Sequence, residues 1–429
     1  MLSAYRFLTF SLYPLFVILI YLRLVLKKED RTRYREKIFS SFFNFKKNNA
    51  KKLIWFHAAS IGEALSVLPL VEEINNHNKN IDFLITTVTL SSANLLKIKL
   101  IEHKNIIHRF FPFDTVHLSE TFLNGWKPDL ICFVDSEIWP NFLFKIKKKK
   151  IPLILVNARI TTKTLKRWNI FSKFAKKVFS NFDLCLACSE ESKINLEKLQ
   201  VKNLSYFGNL KFSVKVKKES LSETNQRILN KFRTWCAVST HPGEESFIFK
   251  THKEIKKKYK NILTIIIPRH IDRVPEIKNL ALQFNLNCQI LNNGDTINQD
   301  KEILIINSFG VAFKYFNYCK NIFIGKSLLK KLINDGGQNP IEAAKSNCKV
   351  YFGPYVYNFQ EVYKFLKSNN MAQEVNNEYD LSGRIIKDFE NSKLIHSHNV
   401  DLLNNHGNKI LQNTIMKLNK FINIKNESI

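Results

Sequence analysis

Short apolar runs separated by longer amphipathic stretches constrain the fold of this chain more than any other feature. They fall at 53–57, 83–87, 106–111, 130–134, 153–156 and 184–187, and restart after a polar, lysine-rich stretch at 215–230. The second set lies at 235–238, 263–267, 289–291, 303–306, 322–324 and 350–352. Apolar runs of this length, each followed by helix-like periodicity, read as buried strands of parallel sheets joined by helical crossovers. The pattern occurs twice, so the expected fold is α/β with two Rossmann-like domains, at 31–214 and 231–429, and a linker at 215–230. A chain of 429 residues is long enough for two such cores. Two domains of this kind facing each other leave a cleft, a favoured place for a ligand.

Residues 1–30 stand outside this pattern. No charge occurs from Phe7 to Leu22, and apolar character resumes after Arg23 through Leu26. That run is slightly short of the ~20 residues that span a bilayer, but Arg23 can snorkel and lengthen it. A strongly basic flank, 27–35, follows in place of a small-x-small cleavage site. The expectation is a single N-terminal membrane anchor with the rest of the chain on the cytoplasmic side. A helix lying in the membrane interface fits the short run as well.

The net charge of +29 favours anionic partners such as acidic lipid headgroups or phosphorylated substrates. Lysine, asparagine, isoleucine and phenylalanine are all abundant, and A/T-rich codons account for part of the excess. A membrane-tethered nucleic-acid binder would need exposed aromatics among its basic residues. The phenylalanines here sit mostly in core-like runs, so no nucleic-acid partner is expected. Seven scattered cysteines point to reduced, buried thiols. Cys185 and Cys188 form a lone CxxC with no second pair, and no catalytic metal is expected.

Glycine is scarce, with twelve in the chain, so the turns that contain it are site candidates. Trp55-Phe-His-Ala-Ala-Ser-Ile-Gly-Glu63 ends a strand and opens a helix, which places a carboxylate at the C-terminal edge of a parallel sheet. The same residues fit a capping box in which Glu63 only satisfies a backbone N–H. Asp135-Ser-Glu137-Ile-Trp-Pro-Asn141 again closes a strand with carboxylates. Lys211 follows Gly208, and Pro268-Arg269-His270 closes a strand with a guanidinium suited to a phosphate. In Gly336-Gly337-Gln-Asn339-Pro340-Ile341-Glu342, Asn339 suits an N-cap, Pro340 the first helical position and Glu342 the third. A Gly-Gly turn at a helix start offers N–H groups to an anion. Glu63, Glu137, Lys211 and Arg269 together describe a base with cations for a leaving phosphate, hence group transfer from a phosphate-activated donor.

These strings, in this order, resemble the Kdo transferases, which attach 3-deoxy-D-manno-octulosonic acid (Kdo) to lipid A precursor. Phe111-Pro-Phe-Asp114, Ile151 to Arg159, Gly208 to Phe212, Ser239 to Glu245, and Gly353-Pro354 with Asn358-Phe359 carry the likeness as well. The resemblance implies a metal-independent, inverting GT-B glycosyltransferase at the bacterial inner membrane. It would take CMP-Kdo as donor and lipid IVA as acceptor, and need no cofactor. It implies Glu63 as proton acceptor and Glu137 and Lys211 as transition-state stabilisers. CMP contacts would come from Pro268, Arg269, Phe309, Gly310, Val311, Asn339, Pro340, Ile341 and Glu342. The chain departs from the family pattern at Val311, where a carboxylate is usual, and at Lys326 and Gln338. Lys326 adds a cation that would offset the change near an anionic donor. These departures leave a related GT-B enzyme with another donor or acceptor as the alternative.

Overall fold

A computed structural model describes residues 1–216, 219–391 and 398–422. The chain divides into two compact units: Met1–Val214 together with the chain from His406 onward, and Lys215–Asn405. The first unit holds β1 (Lys52–His57), β2 (Ile81–Thr87), β3 (Ile106–Phe110), β4 (Leu130–Val134), β5 (Leu153–Ala158), β6 (Leu184–Ala187) and β7 (Leu204–Tyr206). The second holds β8 (Arg233–Thr240), β9 (Ile262–Pro268), β10 (Cys288–Leu291), β11 (Ile303–Ile306), β12 (Asn321–Ile324), β13 (Lys349–Phe352) and β14 (Ala372–Glu374). Each unit is one parallel sheet, in the order β3-β2-β1-β4-β5-β6-β7 and β10-β11-β9-β8-β12-β13-β14.

Every strand expected from an apolar run is present. The two that were not foreseen, β7 and β14, are three-residue edge strands, Leu-Ser-Tyr and Ala-Gln-Glu. An edge strand is partly solvated, so it needs no apolar run to announce it. Central strands such as β4 and β5 are buried throughout, as covering on both faces requires. In the first core the Trp55 ring meets Phe122, Phe133 and Phe142 at centroid distances of 4.8, 5.5 and 5.6 Å. All seven cysteines are free, and only Cys288 is not fully buried.

The N-terminal segment is two helices, α1 (Leu2–Ser11) and α2 (Tyr13–Val25), bent by 48°. Pro14, at the start of α2, has no N–H for the preceding turn and breaks the run. No single helix among the described residues is long and apolar enough to cross a membrane; the bent pair passes by length and composition. One face of the pair is docked on the first unit. Tyr5 Oη donates to Asp114 Oδ2 at 2.8 Å, Asn141 Nδ2 donates to Thr9 Oγ1 at 3.2 Å, and Phe16 stacks on Phe113 at 4.7 Å. The opposite face exposes Phe7, Phe10, Leu15, Ile18, Leu19 and Leu22.

The expected domain limits need two corrections. The stretch 215–230, expected as a linker with a helix, does carry the helix Glu223–Leu229, but that helix belongs to the second unit; there Asn225 Nδ2 donates to the Asp295 carbonyl at 2.9 Å. The second unit also stops at Asn405, because the last helix, His398–Ile422, returns to the first. Close packing explains the return: His406 meets the Phe212 ring edge-on at 4.8 Å, and Gly407 lies against the Phe212 backbone. Residues 217–218 of the expected linker, and 392–397 and 423–429 of the expected second domain, lie outside the described residues.

A Cβ on Gly407 would fall 2.1 Å from the Phe212 carbonyl oxygen. Helix propensity alone makes glycine-to-alanine favourable by about 1 kcal/mol, while forcing backbones apart costs about 1–3 kcal/mol. Gly407→Ala is therefore expected to lower the urea midpoint of unfolding. A raised midpoint would mean that the helix is not seated on Phe212.

Candidate functional site

In the first sheet the chain order reverses between β1 and β4, and the loops leaving those two strands carry the acidic residues. Open α/β sheets bind ligands at such a switch point, outside the carboxyl ends of the strands. After β1, Ser60 caps the helix Ile61–His77: its Oγ accepts the Glu63 N–H at 3.4 Å and donates to Glu63 Oε1 at 2.7 Å. The Ala59 N–H donates to Glu63 Oε2 at 2.8 Å. Glu63 is thus a capping residue in fact. Its carboxyl is nevertheless pushed up to about 7, first by burial, then by the charges of Asp135 and Glu137, against the Ser60 and Ala59 hydrogen bonds.

Asp135 is buried one residue past β4, in the left-handed region at φ 61°. Burial raises its carboxyl as well, although Lys211 and Arg159 oppose the shift. Lys211 Nζ stands 4.0 Å from Asp135 Oδ2. The Lys211 loop is held from two sides: Asn157 Oδ1 accepts the Leu210 N–H at 2.9 Å, and Asn209 Oδ1 accepts the Lys211 N–H at 3.0 Å. Glu137 behaves oppositely to Glu63. Burial would raise it, but hydrogen bonds from His57 Nε2 (3.2 Å) and Trp139 Nε1 (2.8 Å) hold it below the ordinary glutamate value. Asp114 braces the same loop by accepting the N–H groups of Asn141 (3.0 Å) and Phe142 (2.9 Å) at the start of the helix Pro140–Lys148.

The second unit repeats the arrangement with basic residues at the ends of β8, β9 and β12. Pro268 ends β9, and the Arg269 N–H donates to the Thr240 carbonyl at 3.2 Å. The Arg269 guanidinium lies 5.9 Å over the exposed Phe309 ring, in the turn where Gly310 takes φ 73°. His241 and His270 approach to 5.9 Å between ring centroids. His241 is held below the usual histidine value by burial and by Lys326, His270 and Arg269, with the Ser239 carbonyl opposing.

Two expectations for this unit are corrected. The Gly336 and Gly337 N–H groups are not offered to an anion: they donate to the Leu332 and Lys326 carbonyls, both at 2.6 Å. Gly336 is required because a Cβ would fall 2.1 Å from the Tyr355 carbonyl oxygen. The following helix, Ile341–Lys345, begins one residue later than expected, with Pro340 at the N-cap position; Asn339 Oδ1 still accepts the Ile341 N–H at 3.2 Å. Lys326 pairs its ammonium with Asp335 Oδ2 at 3.0 Å. The N–H groups of Lys326, Ser327 and Leu328 all turn to the buried Glu244 carboxylate, at 2.7, 2.9 and 3.2 Å.

Among the residues singled out from sequence, the structure brings Glu63, Glu137 and Lys211 together around Asp135. It brings Arg269 to Phe309, and ties the Gly336–Gly337 turn leading to Asn339 onto Lys326. The sequence assigns Asp135 no role, since its left-handed backbone and its position beside Lys211 have no sequence signature. The partnership of His57 with Glu137 was missed for the same reason, the two being 80 positions apart.

Residues 32–214 match the family model described as 3-Deoxy-D-manno-octulosonic-acid transferase (kdotransferase). A 3-deoxy-D-manno-octulosonic acid transferase from Rickettsia bellii is 31% identical over 98% of this chain and 100% of its own length. Its counterpart from Haemophilus influenzae is 26% identical over 88% of each chain. Among solved structures, a glycosyltransferase from Rickettsia africae superposes with a TM-score of 0.58 at 12% identity, over 88% of this chain and 100% of that one. A UDP-GlcNAc 2-epimerase from Neisseria meningitidis gives 0.57 at 14% identity, over 87% and 99%. Likeness at that identity speaks to fold alone, and the fold is the two-domain GT-B architecture. With both sheets, the ordered motifs and the near-full-length relative in agreement, the chain belongs to the 3-deoxy-D-manno-octulosonic acid transferase family and is a glycosyltransferase.

Proposed function

We propose that the chain transfers Kdo from CMP-Kdo to lipid IVA with inversion, Glu63 acting as general base. The observation that carries this reading is the raised carboxyl of Glu63 at the β1–β4 switch point. A base is most effective when its pKa lies near the working pH, and burial beside Asp135 and Glu137 brings Glu63 to about 7. In the proposed step Glu63 takes the proton of the acceptor hydroxyl, and the hydroxyl oxygen bonds to the anomeric carbon of Kdo. The bond from that carbon to the CMP phosphate oxygen breaks, and CMP leaves with the electron pair. Glu137, kept ionised by its two donors, and Lys211 stabilise charge as it develops at the sugar. The residues Pro268, Arg269, Phe309 to Val311 and Asn339 to Glu342 bind CMP, and the cations Arg269 and Lys326 favour an anionic donor. No step calls on a metal.

The α1–α2 pair supports a membrane role at the cytoplasmic face. One side is fixed to the domain by Tyr5, Thr9 and Phe16, and the other presents apolar side chains. Such a pair seats in the headgroup–acyl boundary with the basic residues after Leu26 facing anionic lipid.

Three outcomes are expected. With lipid IVA and CMP-Kdo generated in situ, mass spectrometry of the lipid should show a Kdo increment, lost by about 10²–10⁴-fold in Glu63→Gln. The acid limb of kcat/KM should fall near pH 7, because Glu63 must lose its proton to act. Transfer that survives Glu63→Gln would leave Glu63 a cap only; no increment from folded wild-type protein would point to another donor or acceptor. In flotation with vesicles of anionic phospholipid, the double variant Phe10→Glu/Leu19→Glu should bind at least about tenfold more weakly, since each apolar side chain contributes about 1.5–3 kcal/mol when buried. Unchanged flotation would remove the pair from membrane binding.

A further inference from the structure

We propose that His57, backed by Thr86, is a positioning residue that fixes the carboxylate of Glu137 toward Glu63, a role that rests on the part given to Glu137 above. His57 is the last residue of β1 and is fully buried. Its ring lies flat on Phe111, with centroids 3.8 Å apart and planes 18° from parallel, so it cannot swing. Nε2 stands 3.2 Å from Glu137 Oε2, and a carboxylate can only accept, so the ring donates there. Nδ1 faces Thr86 Oγ1 at 3.0 Å, on the neighbouring strand β2. Nδ1 also lies 3.2 Å from the Thr86 carbonyl, and the Thr86 hydroxyl accepts Trp55 Nε1–H at 2.8 Å and reaches the Phe56 carbonyl at 3.5 Å, so the inner edge of the ring is held by both polar groups of Thr86. A connected set of contacts therefore links Trp55, Thr86 and His57 to Glu137, and Trp139 Nε1 completes the carboxylate from the other side at 2.8 Å.

The second unit contains the same trio without a site. His252 is fully buried, with Nδ1 2.8 Å from Thr264 Oγ1 and Nε2 3.3 Å from Glu302 Oε2. Glu302 precedes β11 at the opposite edge of its sheet, and Lys256 neutralises it. There the trio braces the fold. In the first unit its carboxylate stands at the switch point beside another acidic group, where removing the histidine changes charge and aim as well as packing.

The test is steady-state kinetics with pH profiles on four variants of the full chain. His57→Phe keeps the flat ring but removes the donor; it is expected to lower kcat by about 10–100-fold at nearly constant KM. Its acid limb should steepen and move to higher pH, because Glu137 loses the donor that opposes burial. His57→Gln, which returns an N–H near Nε2, should recover most of kcat, and Thr86→Val should move the acid limb in the same direction by less. An unchanged acid limb in His57→Phe, or a His57→Gln no better than His57→Phe, overturns the positioning role. Should His57→Phe fail to fold, Thr86→Val and His57→Gln decide the matter: a normal acid limb in both overturns it. Glu137→Gln separates the two proposals. Full kcat in that variant removes the role of Glu137 and the relay with it, whereas impaired Glu137→Gln beside a normal His57→Phe removes the relay alone.

Discussion

The first unit is organised around three acidic side chains held close together where water is scarce. Glu63, Asp135 and Glu137 disfavour one another's charge, and burial disfavours charge on each. The protein answers each differently. Glu137 receives two ring N–H donors and stays ionised; Asp135 receives Lys211 and Arg159. Among the described residues Glu63 receives the hydrogen bonds of its own helix cap, which do not offset burial and like charge. The same carboxyl therefore closes the helix and stays ready to take up a proton near neutrality. Capping and base catalysis are compatible here because the cap uses one N–H and one hydroxyl, leaving further lone pairs for an acceptor hydroxyl.

Backbone strain marks the same places. Among the described residues, eleven that are not glycine have positive φ. Lys27, Lys127, Lys150, Gln200, Asn285, Asn347 and Asn370 follow helix ends, where the left-handed conformation is common. The other four, Asp135, Asn157, Ser239 and Lys326, lie at or just past the carboxyl ends of β4, β5, β8 and β12. Strain of this kind persists only where surrounding contacts fix it, and it gathers at functional sites. Here the contacts are visible: Asn157 holds the Lys211 loop, and Lys326 is fixed through its N–H to Glu244.

Much of this was legible in the sequence for a physical reason. A strand buried on both faces must be apolar throughout, so each of the central strands declared itself. Edge strands β7 and β14 carry no such requirement and stayed hidden. Glu63 and Glu137 stood out as candidates because each follows the end of an apolar strand, and parallel topology brings such ends to one edge; Lys211, past the hidden β7, stood out only through the turn at Gly208. Where each N–H goes was not readable. The Gly336–Gly337 turn looked like an anion cradle until the Leu332 and Lys326 carbonyls accounted for its donors. The return of the last helix was equally silent, since Gly407 meets Phe212 only through tertiary packing.

The central claim is that burial and like charge hold Glu63 ready to accept a proton at neutral pH. Carbon-13 NMR titration of glutamate carboxyl groups, comparing the wild-type chain with Glu63→Gln, observes that proton directly. The account predicts one resonance, absent from the variant, that titrates near pH 7. A resonance assigned to Glu63 by the same subtraction that titrates in the ordinary glutamate range, or below it, would contradict the claim.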